Sequence, residues 1–91
     1  MTQPSISISP NEPTAGDQME VCYDFVQSTV DTVELRITFD LVPTGTHVVT
    51  VTVTKTDNCK KVNVPSDADS GTVEDLSQQA PDKGFAVKRP S

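Results

Sequence analysis

The sequence has no tryptophan, a single histidine (His47), two cysteines (Cys22 and Cys59) and only seven lysines and arginines against thirteen aspartates and glutamates. Each shortage closes a line of chemistry. One histidine leaves little for a nucleophile–base–acid triad, and no serine stands in a Gly-x-Ser-x-Gly elbow. Two cysteines and one histidine do not make a tetrahedral zinc set. A net charge of −6 favours solubility and argues against a nucleic-acid or anionic-membrane partner. No apolar run reaches the ~18 residues of a membrane span, so no membrane insertion is expected. The 91 residues make one domain, residues 1–91, with no room for a second core. Carboxylate-pair hydrolysis needs two acids facing each other across a cleft, which domains of this size rarely have. The expectation is a protein that is not an enzyme and needs no cofactor.

What is present is alternation. Val33, Leu35, Ile37, Phe39 and Leu41 fall on one parity, and Glu34, Arg36, Thr38 and Asp40 on the other. After Pro43-Thr44-Gly45-Thr46 the rhythm resumes, with Val49, Val51 and Val53 against Thr50, Thr52 and Thr54. Period two over adjacent runs marks strands with one dry and one wet face. Read this way, the chain gives strands at Ser5–Ser9, 18–26, 33–42, 47–55, 59–64, 72–76 and 85–88. Turn residues separate them: Asn11 to Asp17, Gln27 to Thr32, a hairpin with Gly45 free to take positive φ, Thr56-Asp57-Asn58, a polar loop from Ser66 to Gly71, and Gln78 to Gly84. Pro90 stops the last strand. No helix-period run is long enough to stand.

Both cysteines fall on wet parity. Cys22 alternates with Glu20 and Asp24 against Met19, Val21, Tyr23 and Phe25; Cys59 alternates with Lys61 and Asn63 against Val62 and Val64. Exposed free thiols are a liability, so a disulfide is the natural resolution. It would join two neighbouring strands of one sheet on their wet face, and it implies an oxidising compartment, extracellular or cell-surface. Two unrelated free thiols, and a cytoplasmic protein, are the alternative. A bulge that shifts parity by one residue would bury both sulfurs instead. The opening Met1-Thr2-Gln3-Pro4 leads into no apolar signal region, which fits a domain from a longer secreted chain and equally a cytoplasmic start.

Seven short strands with turn signals every ~8–12 residues predict an all-β fold, a two-sheet antiparallel sandwich. The predicted core is Ile6, Ile8, Val21, Tyr23, Phe25, Leu35, Ile37, Phe39, Val49, Val51, Val53, Val62, Val64, Phe85 and Val87. Three stretches carry a family likeness: Ser7-Ile8-Ser9-Pro10 with Ala15-Gly16-Asp17-Gln18; Cys59 to Pro65 with Asp67-Ala68-Asp69-Ser70; and Gln79-Ala80-Pro81-Asp82 with Phe85-Ala86-Val87. Through them the chain resembles the immunoglobulin-like and fibronectin type III-like modules of bacterial surface and secreted proteins. The resemblance implies a seven-stranded immunoglobulin-like sandwich with its second and fifth strands side by side. It departs from antibody domains in having no core tryptophan. It implies little about function, because the superfold hosts many roles.

Four candidate readings remain. Asp67 and Asp69, with Gly71 for a sharp turn and Glu74 following, offer oxygen ligands for Ca²⁺. Sugar binding would need exposed aromatics, and Tyr23, Phe25 and Phe39 sit on core parity. Threonines alternating along the fourth strand resemble the ladders of ice-binding proteins, but one strand makes no flat array. If that strand lies at a sheet edge, Val48, Thr50, Thr52 and Thr54 border unpaired backbone open to a partner. The function expected is a non-catalytic structural or protein-interaction module of a secreted, cell-surface or virion protein. Its partner would be another protein, a neighbouring domain or a second copy. The alternative is a ligand-binding module, taking Ca²⁺ at the Asp67–Gly71 loop or a glycan.

Overall fold

A computed structural model describes residues 4–26 and 28–89. The readings of Met1 to Gln3, of Gln27 as part of a linker and of Pro90 as a stop lie outside these residues. Among the described residues the chain is all strand and turn: β1 (Ser5–Ser9), β2 (Gln18–Asp24), β3 (Thr32–Leu41), β4 (Thr46–Thr54), β5 (Cys59–Asn63), β6 (Ala68–Asp75) and β7 (Lys83–Ala86). Among the described residues no helix is long and apolar enough to cross a membrane.

The strands form two antiparallel sheets, β1-β2-β5 and β4-β3-β6-β7, packed as a sandwich. The chain makes hairpins of β1/β2, β3/β4 and β6/β7 and changes sheet between them. The period-two pattern is why. Met19, Val21 and Tyr23 on one sheet, and Val33, Leu35, Ile37 and Phe39 on the other, have no other way to leave water together, and all are at most 2 % exposed. Fully burying one such side chain is worth about 1.5–3 kcal/mol. Gly45, at φ 107°, closes the β3/β4 hairpin in a conformation that suits glycine.

Most of the expected core is buried. Phe25, Val49, Val51 and Phe85 are only half-buried and pack against it. For Val49 and Val51 the reason is position. β4 is one of the two outermost strands of the wider sheet, and its inward face becomes fully covered only at Val53, close to where the chain crosses toward β5. Met19, Val33, Ala68, Val73 and Ala80 join the core beyond the predicted set.

Two segments differ from expectation. The polar loop predicted over 66–71 is shorter, because β6 begins at Ala68. Asp69, Ser70 and Gly71 are turn-prone by type, but pairing overrides that preference: Ser70 lies opposite Asp40 and Gly71 opposite Phe39, with a register shift between Asp40 and Leu41. Gly71 is therefore a strand residue and makes no sharp turn. A Cβ there would fall 2.8 Å from Cε2 of Phe85, so the missing side chain is the seat of that ring. The last strand also begins earlier than predicted, at Lys83, with Gly84 paired opposite Thr72.

Candidate functional site

β4 is a sheet edge, and the hydrogen-bond phase shows what it offers. Across the hairpin mouth the Leu41 N–H donates to the Gly45 carbonyl at 2.9 Å. Antiparallel ladders alternate bonded and non-bonded pairs. From Leu41/Gly45 the phase runs through Phe39/His47, Ile37/Val49, Leu35/Val51 and Val33/Val53 as the bonded pairs. The Leu76 N–H donating to the Glu34 carbonyl at 3.1 Å confirms it, since even-numbered β3 residues then face β6. Thr46, Val48, Thr50 and Thr52 consequently aim their N–H and C=O groups away from the sheet. Val48 is 53 % exposed. Thr54, predicted to share this edge, does not: its N–H donates to Asp57 O at 3.0 Å, and its Oγ1 accepts the Asp57 N–H at 3.0 Å.

The other edges are shorter or guarded. β1 and β5 have five residues each and β7 four, against nine in β4. β5 carries Lys60 and Lys61. β7 is covered at its end, where the Ala15 N–H donates to Lys88 O at 2.8 Å and the Lys88 N–H to Pro13 O at 2.7 Å. β4 has no charged residue and no proline, the usual guards against strand addition. His47, placed at its start by the sequence, is exposed and stacks on Phe39 with centroids 6.4 Å apart.

On the other sheet Cys22 and Cys59 are bonded, directly opposite each other on β2 and β5. The Tyr23 N–H donating to Asn58 O at 2.9 Å assigns odd β2 residues to the hydrogen-bonded pairs. Cys22/Cys59 is thus a non-bonded pair, the kind in which facing side chains come closest, with Cα atoms 4.1 Å apart. The sulfurs lie on the outer face, half-buried, as parity predicted. Glu20, half-buried on the same face, brings a carboxylate oxygen to them, and the three ligand atoms all lie within 4.8 Å of one another. Alternation places Glu20 beside Cys22 on the wet face of β2, whereas its closeness to Cys59 is supplied by the β2/β5 pairing alone.

Asp67, Asp69 and Glu74 are not gathered. Asp67 is exposed in the turn before β6 and Asp69 exposed on β6, while Glu74 accepts from Arg36 Nε at 3.0 Å. Asp69 and Glu74 stand five residue steps apart along β6, about 16 Å of extended chain. The backbone carbonyls of Asp67 and Asp69 accept from Val42 N (2.9 Å) and Val87 N (3.0 Å).

The sequence also gave no sign of a buried polar node. Asp75, 2 % exposed, ends β6 on the core face. Its Oδ2 accepts from Tyr23 Oη at 2.6 Å, Ala80 N at 3.0 Å and Gln79 N at 3.2 Å; its Oδ1 accepts from Ser77 N at 2.7 Å and Ser77 Oγ at 2.5 Å. Burial pushes its pKa up, but the bonds from Ser77, Tyr23 and Ala80 outweigh that and hold it below the usual carboxylate value. Burial, then the bond to Asp75 and its charge, pushes the Tyr23 hydroxyl far above its ordinary value, against a smaller opposing effect of Ser77. The carboxylate organises the turn after β6 and pins it to β2 of the facing sheet. That is structural work.

No protein-family model, no curated protein and no solved structure matches the chain. A disulfide such as Cys22–Cys59 is more typical of extracellular than of cytoplasmic proteins.

Proposed function

We propose that this chain is a non-catalytic structural or protein-interaction module of a secreted, cell-surface or virion protein, of the immunoglobulin-like or fibronectin type III-like kind. We propose further that it engages a neighbouring domain or a second copy by strand addition along β4. The supporting observation is the outward-facing backbone of Thr46, Val48, Thr50 and Thr52 on the longest edge, free of charge and proline. An extended partner strand would gain main-chain hydrogen bonds there, with Val48 adding apolar contact. The non-catalytic reading rests on His47 being the only histidine and standing exposed at a strand start. Ca²⁺ at Asp67, Asp69 and Glu74 draws no support from their placement, nor does a glycan from aromatics that are buried or half-buried.

The test is amide hydrogen exchange, with sedimentation, on the isolated chain and on its parent assembly. Thr46, Val48, Thr50 and Thr52 should exchange freely in the monomer and become protected on association. Val48→Lys and Thr50→Pro should abolish that protection while leaving the fold intact, since the Thr50 N–H makes no bond inside the sheet. Four amides equally exposed in monomer and assembly would refute the proposal.

A further inference from the structure

On the outer face of the β1-β2-β5 sheet the Glu20 carboxylate lies beside the bridged sulfurs of Cys22 and Cys59, the three atoms mutually within 4.8 Å. We propose that reducing the Cys22–Cys59 bridge opens a binding site there for a thiophilic divalent cation such as Zn²⁺, with these three side chains as protein ligands.

Zn²⁺ binds thiolates at ~2.3 Å and carboxylates at ~2.0–2.2 Å, so ligand atoms in a tetrahedral set stand about 3.3–3.8 Å apart. The two sulfurs need only swing apart about their χ1 bonds to reach that spacing. The backbone carrying them is held by the β2/β5 ladder as well as by the bridge: Tyr23 N bonds Asn58 O at 2.9 Å on one side of the pair, and Val64 N bonds Asp17 O at 2.8 Å further along the same ladder. All three ligands stand on strands, which place side chains more precisely than loops do. Glu20 lies across from Lys61, yet among the described residues its carboxylate has no hydrogen bond or ion pair. Two thiolates select a soft cation over Ca²⁺ or Mg²⁺. Two thiolates, one carboxylate and a divalent cation sum to one negative charge, and Lys61 stands opposite Glu20 in the β2/β5 register. The face is open to solvent, which leaves a fourth position for water, with Ser7 directly opposite Cys22 on β1.

The electron count is closed by a reducing dithiol. It delivers two electrons and two protons, leaves as its own disulfide, and converts Cys22 and Cys59 to thiols. The cation then displaces the two thiol protons to solvent. Reoxidation by a disulfide reverses both steps and expels the metal. Bridge and cation are mutually exclusive, so the face is a redox-gated metal site. It lies on the sheet opposite β4 and stands independently of strand addition there.

The test uses the full chain, reduced with a dithiol that is then removed anaerobically, and titrated with Co²⁺ and with Zn²⁺ against a chromophoric chelator. Reduced wild type should bind one cation, with thiolate-to-cobalt charge transfer and tetrahedral d–d bands. Oxidised wild type and the Cys22→Ser/Cys59→Ser double variant should bind none. Glu20→Gln should bind roughly tenfold or more weakly. If reduction alone unfolds the chain, Zn²⁺ should restore the β-sheet circular dichroism of wild type and not that of Glu20→Gln. Reduced wild type that gives no thiolate–cobalt spectrum, or Glu20→Gln that binds as tightly as wild type, overturns the proposal.

Discussion

Replacing Tyr23 with phenylalanine removes one hydroxyl from the interior and nothing else. That hydroxyl donates to Asp75 Oδ2 at 2.6 Å and is, among the described residues, the only tie to this carboxylate from the facing sheet; its other donors belong to the turn over Ser77, Gln79 and Ala80. A hydrogen bond to a buried charge is worth about 1.5–3 kcal/mol, and its loss leaves the carboxylate short of one donor in a place water does not reach. For a domain of this size each kcal/mol moves Tm by about 4–8 °C, so Tyr23→Phe should melt roughly 6–24 °C lower than wild type. Asp75→Asn should cost a similar amount, because it sets an amide donor among donors. The double variant should be less damaged than the sum of the singles by about 1 kcal/mol or more, as expected for partners in contact. The sign with pH follows from the direction of each shift. Asp75 has a folded-state pKa below its unfolded value. Its contribution is therefore complete above about pH 4 and lost as pH falls through the folded pKa. Tyr23 has its pKa raised, so its contribution is complete below about pH 10 and lost as pH rises further. Thermal melts between acid and alkaline pH on the four proteins measure all of this. Additivity within about 0.5 kcal/mol, or an acid-limb loss as steep in Asp75→Asn as in wild type, would refute the reasoning.

Gly71→Ala should destabilise by about 1–3 kcal/mol, read as a lower urea midpoint, because its Cβ meets the Phe85 ring, which Phe39 backs edge-on at 5.9 Å; pairing it with Phe85→Leu should recover part of the loss. Reducing the bridge without metal should cost up to about 4 kcal/mol, since it releases a loop with a sequence separation of 37; an unchanged Tm in the reduced, metal-free chain would count against a stabilising bridge.

What was legible in the sequence is whatever a period of two fixes locally. Val33 to Phe39 declare which face is dry without reference to any other strand. The same count around Cys22 and Cys59 places both sulfurs outside and on neighbouring strands, as the structure has them. What was not legible is whatever a distant partner decides. Asp69-Ser70-Gly71 spells a turn until Asp40 and Phe39 arrive as pairing partners and Phe85 covers the glycine. Asp75 looks like a surface acid until Tyr23, fifty-two residues away, donates to it. Glu20 becomes a neighbour of Cys59 only through the β2/β5 register. The fourth strand shows the boundary most clearly. Its Thr-Val alternation reads the same whether the strand is central or peripheral, because parity reports faces and is silent about edges. The sheet order and the hydrogen-bond phase set by Leu41 and Gly45 decide the matter, and they also remove Thr54 from the free edge. A binding surface made of backbone has no residue signature of its own. Its only trace in sequence is the missing guard: nine strand residues without one charge or proline.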